Sequence, residues 1–139
     1  MAVTISILNA GNMTLGSGGS SGHSETRVTY ANNTTWSGEI EEELTWESIP
    51  YIEEVETVDI GTSVTSILRS FEGCMNLTSV TIPDSVTSIV KEAFMSCNSL
   101  KNVTIGSGIQ GIGESAFATN GSPITLTIGK TVAEVQAMG

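Results

Sequence analysis

The sequence predicts a repeat solenoid, mainly β with short helical turns, preceded by a small β-hairpin N-terminal region. A unit of 22 to 23 residues recurs along the second half of the chain, and similar apolar residues occupy the same positions in each unit. Thr, Ser, Val and Ile are abundant between those positions, which favours strands. One unit of this length cannot bury its own apolar face, whereas stacked units bury each other's. We therefore expect a core built from columns of equivalent side chains.

The columns follow directly from aligning the units. The units begin at Val58, Val80, Val103 and Leu126. The other apolar columns are Ile60, Ile82, Ile105 and Ile128; Val64, Val86, Ile109 and Val132; Ile67, Ile89, Ile112 and Val135; and Phe71, Phe94 and Phe117. These residues are the predicted core.

The second unit shows the predicted order of elements. Residues 80–82 alternate apolar and polar, which predicts a short strand with one buried face. Pro83 begins a turn, and residues 86–89 are again extended. The composition of residues 91–96 predicts one or two helical turns that place Phe94 in the core.

A family resemblance rests on the same residues. The run VTIPDSVTSI at 80–89, followed by Ala93-Phe94, Cys97 and Leu100, resembles the BspA-like leucine-rich repeat. The resemblance covers residues 58–135. This region is similar to repeat proteins of gut bacteria and of their phages and prophages. It implies a leucine-rich-repeat-like solenoid and a binding or adhesive role.

The chain divides into two predicted parts, an N-terminal region over residues 1–57 and a solenoid over residues 58–139. Residues 1–8 alternate apolar and polar, which predicts a strand. A Gly/Ser-rich arm with the composition of a flexible linker occupies residues 16–22.

A β-hairpin is predicted over residues 26–40, because two alternating segments flank Asn32 and Asn33, which suit the left-handed conformations of a turn. We expect residues 45–55 to cap the first repeat, with Trp46 packed inside this cap.

Acidic residues are concentrated before the repeats. Residues 1–57 carry nine acidic side chains and one basic one, and residues 58–139 carry six and four. This balance argues against nucleic acid as a partner, because phosphates require a positive surface, and against binding to anionic lipids. The acidic run can be read as a cation site, but it lacks the spacing of a calcium loop. We interpret it as a solvated face.

Two cysteines, Cys74 and Cys97, occupy one column. Stacked backbones about 5 Å apart would allow a disulfide. The neighbouring Phe and Leu columns favour the alternative, in which both are buried free thiols.

Catalytic chemistry has no support in the sequence. The single histidine, His23, adjoins the Gly/Ser-rich arm, where we expect it not to be held as a general base must be. Hydrolase, phosphate-loop and zinc-protease motifs are missing from the sequence. We predict a protein that is not an enzyme and needs no cofactor or metal.

A candidate binding surface combines hydroxyl groups and aromatic rings. Thr81, Thr104 and Thr127 are the exposed strand positions of successive units. Trp36 and Tyr51 are candidates for a contact patch, because aromatic side chains concentrate interface energy. The predicted partner is a protein, a sister subunit or a glycan.

Two functions fit this surface. The first is a structural or assembly protein that presents its solenoid as part of a homo-oligomer or larger assembly, such as a phage or prophage virion. The alternative is a bacterial cell-surface adhesion module. The sequence contains neither a signal peptide nor an apolar run of membrane-spanning length. We therefore expect synthesis in the cytoplasm, no membrane insertion, and a final place in a virion or on an extracellular surface.

The fourth unit stops at Gly139, before the position of the phenylalanine column. The edge of its last strand needs cover. We expect a partner subunit or further residues to supply it.

Overall fold

The computed structural model describes residues 10–15, 23–118 and 124–129. These residues form eleven strands and one 3₁₀ turn, at Ile52–Glu54. The strands are β1 (Ala10–Leu15), β2 (Thr26–Tyr30), β3 (Thr35–Gly38), β4 (Glu42–Leu44), β5 (Val55–Asp59), β6 (Val64–Ile67), β7 (Ser79–Ile82), β8 (Ser88–Ile89), β9 (Asn102–Ile105), β10 (Gly111–Ile112) and β11 (Ile124–Ile128). In the described part of the chain, no helix has the length and apolar character that crossing a bilayer requires.

The strands form two sheets, as a repeat solenoid requires. The larger sheet has seven strands in the order β1-β11-β9-β7-β5-β2-β3, and the smaller has four in the order β10-β8-β6-β4. Each unit contributes one strand to the larger sheet, and β5, β7, β9 and β11 are parallel neighbours. The predicted repeat solenoid is therefore confirmed.

The predicted columns are the core. In the larger sheet Val58 pairs with Val80, Val80 with Val103, and Val103 with Leu126. All described members of the five apolar columns are buried. Val132, Val135 and the strand predicted over residues 1–8 lie outside the described residues.

The phenylalanine column is a continuous stack of rings. The ring centroids of Phe71 and Phe94 are 5.0 Å apart, and those of Phe94 and Phe117 are 5.1 Å apart. The interplanar angles are 3° and 10°. All three side chains are fully buried, so each ring contributes both burial and ring stacking to the free energy of folding.

The helical turns predicted for residues 91–96 are wrong. The segment consists of successive turns, in which Glu92 and Ser96 both have a φ of 62°, a left-handed value that interrupts a helix. The backbone N–H groups of Glu92, Phe94 and Ser96 donate to the next unit, for example from Phe94 to the carbonyl of Ala116 at 2.7 Å. An N–H group used between units is not available for a helix within one unit.

The predicted hairpin is confirmed. Strands β2 and β3 pair in antiparallel register, and Asn33 in the turn has a φ of 70°. β2 also pairs in antiparallel register with β5. The hairpin is thus the end of the same sheet that contains the repeat strands.

The expectation that Trp46 packs inside a cap is wrong. Its side chain is 62% exposed, whereas Ile49 and Ile52 nearby are buried. The backbone N–H of Thr45 donates to the hydroxyl of Ser48 at 2.9 Å. This turn places Trp46 at its tip, and the two isoleucines fill the core instead.

In this structure the edge of the last repeat strand is covered by the start of the same chain, and not by a partner subunit or further residues as the sequence led us to expect. β1 pairs in parallel with β11, with Met13 opposite Leu126 and Leu15 opposite Ile128. The sequence signal for this strand is the run Asn-Met-Thr-Leu at 12–15, which matches Asn-Val-Thr-Ile at 102–105 in type at each position.

Candidate binding surface

The outer face of the seven-stranded sheet is lined by polar side chains. Because side chains of a strand alternate between its two faces, the buried Val and Ile columns leave every second residue on this outer face. The pairing register aligns these residues into two rows. The first, called here the threonine ladder, is Ser37, Arg27, Asp59, Thr81, Thr104 and Thr127. The second row is Thr35, Thr29, Thr57, Ser79, Asn102 and Thr125.

The threonine ladder differs from two other threonine columns of the repeats, those of Thr78 and Thr87, in how its hydroxyl groups are used. The hydroxyl of Thr78 donates to the carbonyl of Glu56 at 3.1 Å, and that of Thr87 donates to the carbonyl of Thr65 at 3.3 Å. Among the described residues, the hydroxyls of Thr81 and Thr104 have no such partner. They remain available to a ligand on the outer face.

A cleft of about 420 Å³ opens at the hairpin end of this face. Trp36, Arg27, Asp59 and Thr81 are among its lining residues. The guanidinium of Arg27 lies 3.3 Å from a carboxylate oxygen of Glu25. The cleft therefore combines hydroxyl groups and charges of both signs. Trp36 pairs with the buried Val28, so its ring projects to the opposite face of the sheet.

A second cleft, of about 440 Å³, lies on the other side of Trp36. Tyr51, Pro50 and Tyr30 contribute to its lining. Tyr51 is 74% exposed, and the hydroxyl of Tyr30 donates to the carbonyl of Pro50 at 2.6 Å. That hydrogen bond ties the loop carrying Tyr51 to the hairpin.

The structure thus brings some of the predicted surface residues together and separates others. Trp36 lines the second cleft together with Tyr51, but its ring lies on the face of the sheet opposite Thr81. Thr104 and Thr127 continue the threonine ladder away from both clefts.

The contribution of the hairpin to this face was not predicted from the sequence. Arg27, Thr29, Thr35 and Ser37 lie in register with the outward residues of the repeats. The period-two alternation of the hairpin strands was the available signal. It did not reveal that the hairpin pairs with β5, because that contact joins segments far apart in sequence.

The expectation that His23 is not held in place is wrong. Its Nε2 atom lies 2.8 Å from Oδ2 of Asp59, and its Nδ1 atom lies 2.5 Å from the carbonyl oxygen of Glu25. The antiparallel pairing of β2 with β5 brings the start of β2 beside Asp59. These two contacts hold the imidazole ring in a fixed orientation.

The two cysteines are buried free thiols. The Cys97 thiol donates to the carbonyl of Phe71 at 2.9 Å, and the Cys74 thiol lies 3.7 Å from the carbonyl of Ile52. Burial raises the pKa of each thiol to about 12, with nearby Glu53 adding to the effect on Cys74. Thiols in this state are protonated and poor nucleophiles at neutral pH.

The acidic side chains between the hairpin and the repeats are mostly exposed. Within the described ranges, no three His, Cys, Asp or Glu residues are grouped closely enough to hold a metal ion. Ser63 donates to the carboxylate of Glu39 at 2.9 Å, which is an ordinary surface contact.

Comparison with known proteins agrees with the repeat geometry. The family model described as BspA type Leucine rich repeat region (6 copies) matches residues 48–138. No curated protein and no solved structure matches the chain. The match covers well over half of the sequence, and repeats of this type form protein-binding or adhesion modules. With its stacked units, its buried columns and this match, the chain belongs to the BspA-type leucine-rich repeat family.

Proposed function

We propose that the chain is a non-enzymatic binding module that holds a protein partner on the outer face of its seven-stranded sheet. The observation that carries this proposal is the threonine ladder, whose hydroxyls at Thr81 and Thr104 have no partner among the described residues. In two other columns of the repeats, the hydroxyls of Thr78 and Thr87 are bonded to the preceding unit. A polar row without internal partners is suited to hydrogen bonds with a ligand.

Trp36 and Tyr51 are proposed as a second contact, separate from the outer face. Trp36 pairs with the buried Val28 and packs against the core, so its ring lies on the face of the sheet opposite the threonine ladder. It lines the second cleft together with Tyr51. Rigid aromatic rings can bury a large area on binding at little cost in conformational entropy.

The charge of the chain limits the classes of molecule that can be its partner. The formal net charge is −10, and Glu41, Glu42, Glu43 and Glu47 are exposed. A neutral or basic protein surface can approach without repulsion, whereas the phosphates of a nucleic acid cannot.

A peptide library displayed on beads provides the test. Binders are selected on the natural chain, and their affinities are then measured for Thr104→Lys and for Thr65→Lys. Both variants add the same charge to an exposed or partly exposed threonine, but Thr65 lies in the smaller sheet. We expect Thr104→Lys to weaken binding at least tenfold, or about 1.4 kcal/mol, and Thr65→Lys to leave it unchanged. Equal affinity of all variants would remove the outer face as the binding site.

A glycan is the second candidate ligand. The cleft at the hairpin end brings the hydroxyls of Thr81 and Ser37 together with the charged groups of Arg27 and Asp59, and such groups suit hydrogen bonds to the hydroxyls of a sugar. Binding to an array of immobilised glycans tests this candidate. A signal lost in Thr104→Lys, but kept in Thr65→Lys, would favour a glycan over a protein.

The biological setting proposed for the module is an assembly such as a phage or prophage virion, with cell-surface adhesion as the alternative. The resemblance to repeat proteins of gut bacteria and their phages supports both. An antibody against the chain separates them, because it would label purified particles in the first setting and the surface of intact cells in the second.

A further inference from the structure

The first described strand lies far from the strand that follows it in the sequence. β1 pairs with β11, whereas β2 pairs with β5, so four strands separate β1 from β2 in the sheet. With neighbouring strands about 4.8 Å apart, the end of β1 is roughly 24 Å across the sheet from the start of β2. Ten residues, 16–25, connect them.

β1 pairs in the same register as a repeat strand, although it lies at the start of the chain. Its register on β11 continues the columns of the repeats, with Thr14 opposite Thr127 in the threonine ladder. Leu126 and Ile128 of β11 are 1% and 0% exposed beside it. The strand therefore supplies the neighbour that β11 would receive from one more unit.

The larger sheet ends in two edge strands, β1 and β3. Both run in the same direction, because β3 is antiparallel to β2 and β2 is antiparallel to β5. Among the described residues, the outer edges of these two strands are unpaired. An unpaired edge is a site for pairing with another chain.

From these observations we propose that β1 of one copy pairs with β11 of the preceding copy, so that copies join head to tail in a continuous sheet. In the continuous sheet, β1 of one copy lies between β11 of the preceding copy and β3 of its own copy. The pairing of β1 with β11 is the same as within one chain, and the free edge of β1 now meets that of β3. Such an interface is heterologous and propagates from copy to copy.

The connection between β1 and β2 favours this exchange. In the head-to-tail arrangement only β3 lies between β1 and β2, so the span falls to two strand spacings, or roughly 10 Å. Ten residues reach about 35 Å when fully extended, so they can cover either span. The shorter span leaves a ten-residue connection more conformations than the longer one does. The exchanged state also gains one further strand pairing, that of β1 with β3.

A cysteine pair across β1 and β11 tests the exchange in the full chain. Thr14 and Thr127 are opposite each other in parallel strands, at a Cα separation of about 4.8 Å that suits a disulfide. Two differently tagged variants, Thr14→Cys and Thr127→Cys, are coexpressed and oxidised. The matched control pairs Thr14→Cys with Thr104→Cys, because Thr104 lies one strand further from β1. The natural thiols of Cys74 and Cys97 are buried, and the unmodified chain controls for them.

We expect a disulfide-linked pair carrying both tags, at least tenfold more abundant than in the control pair. The double variant, Thr14→Cys with Thr127→Cys in one chain, should give a ladder of linked oligomers on a non-reducing gel. Light scattering of the unmodified chain should show a mass that rises with concentration. A double variant linked only within single chains would overturn the proposal, and so would the failure of every pair to form a disulfide. The outcome is independent of the ligand proposed for the outer face.

Discussion

The repeats and the hairpin end of the sheet are stabilised in different ways. In the repeats, the same contact recurs from unit to unit, as in the stacked rings of Phe71, Phe94 and Phe117. At the hairpin end, each contact occurs once, as in the hydrogen bond from Tyr30 to Pro50 and the pair formed by His23 and Asp59. Recurring contacts are visible as columns in the sequence, whereas single contacts between distant residues are not.

Removing one ring from the stack should have the largest effect. Phe94→Ala leaves a cavity between two buried rings, and we expect it to lower the free energy of unfolding by about 3–5 kcal/mol. Phe94→Leu retains much of the volume and should cost less. Denaturant unfolding measures both. The control is Trp46→Ala, which removes an exposed ring and should change stability by less than about 0.5 kcal/mol. Equal losses at Phe94 and Trp46 would contradict the difference between the two regions.

Raising the pH should weaken the repeats through their thiols. The ordinary pKa of 9.0 rises to about 12 for Cys74 and Cys97 in the folded chain. Below pH 9 both thiols are protonated in the folded and in the unfolded chain, so they do not reduce the stability. Above pH 9 the unfolded state loses protons that the folded state retains, so stability falls until the pH passes the folded pKa of about 12. We expect a loss of about 2 kcal/mol between pH 9 and pH 10 for the two thiols together.

Replacing both cysteines by alanine provides the control for this pH dependence. The variant should be less stable at neutral pH, because it loses buried volume, but its stability should change less between pH 9 and pH 10. The pKa of Tyr30 is also raised, chiefly by burial, so some loss above pH 10 should remain. An unchanged slope in the double variant would exclude the thiols as its cause.

The hydrogen bond between His23 and Asp59 tests the hairpin end. A double-mutant cycle with His23→Ala and Asp59→Ala should give a coupling free energy of about 1 kcal/mol. The second oxygen of Asp59, Oδ1, is buried and has no hydrogen-bond partner among the described residues. Loss of His23 would therefore remove the hydrogen bond to Oδ2 of Asp59 while Oδ1 already has no partner among the described residues. Additive effects of the two substitutions would show that the contact contributes no stability.

The smallest expected effect concerns one turn position that recurs in two units. Gly73 and Ser96 are equivalent and have φ values of 74° and 62°. Ser96→Gly should raise stability by about 0.5–1 kcal/mol, because glycine adopts this conformation without a side-chain penalty. Gly73→Ser should lower it by a similar amount, since a Cβ at Gly73 meets no atom within 4 Å and only backbone strain acts. Thermal unfolding compares the two, and changes of the same sign would contradict the explanation.

Much of the fold was predictable because its core is periodic. The described members of the five columns, the hairpin at Thr26–Tyr30 and its turn at Asn33 were identified from residue types and spacing. The prediction of helical turns at 91–96 failed because alternate N–H groups of this segment donate to the next unit. Local composition contains no information about that neighbour.

The candidate surface was predictable only in part. Alternation along each repeat strand identified Thr81, Thr104 and Thr127 as outward residues. Their alignment with Arg27 and Ser37 of the hairpin depends on antiparallel pairings that no local pattern specifies.

The sequence by itself determined the repeat period, the core columns and the family, because a stack of equivalent units imposes the same side-chain type at each equivalent position. Only the tertiary structure decided how the stack ends: which strand covers β11, how the hairpin joins β5 and what holds His23. The physical reason is that each of these contacts is made once, between segments distant in sequence. A single contact leaves no repeated pattern from which its partner could be identified.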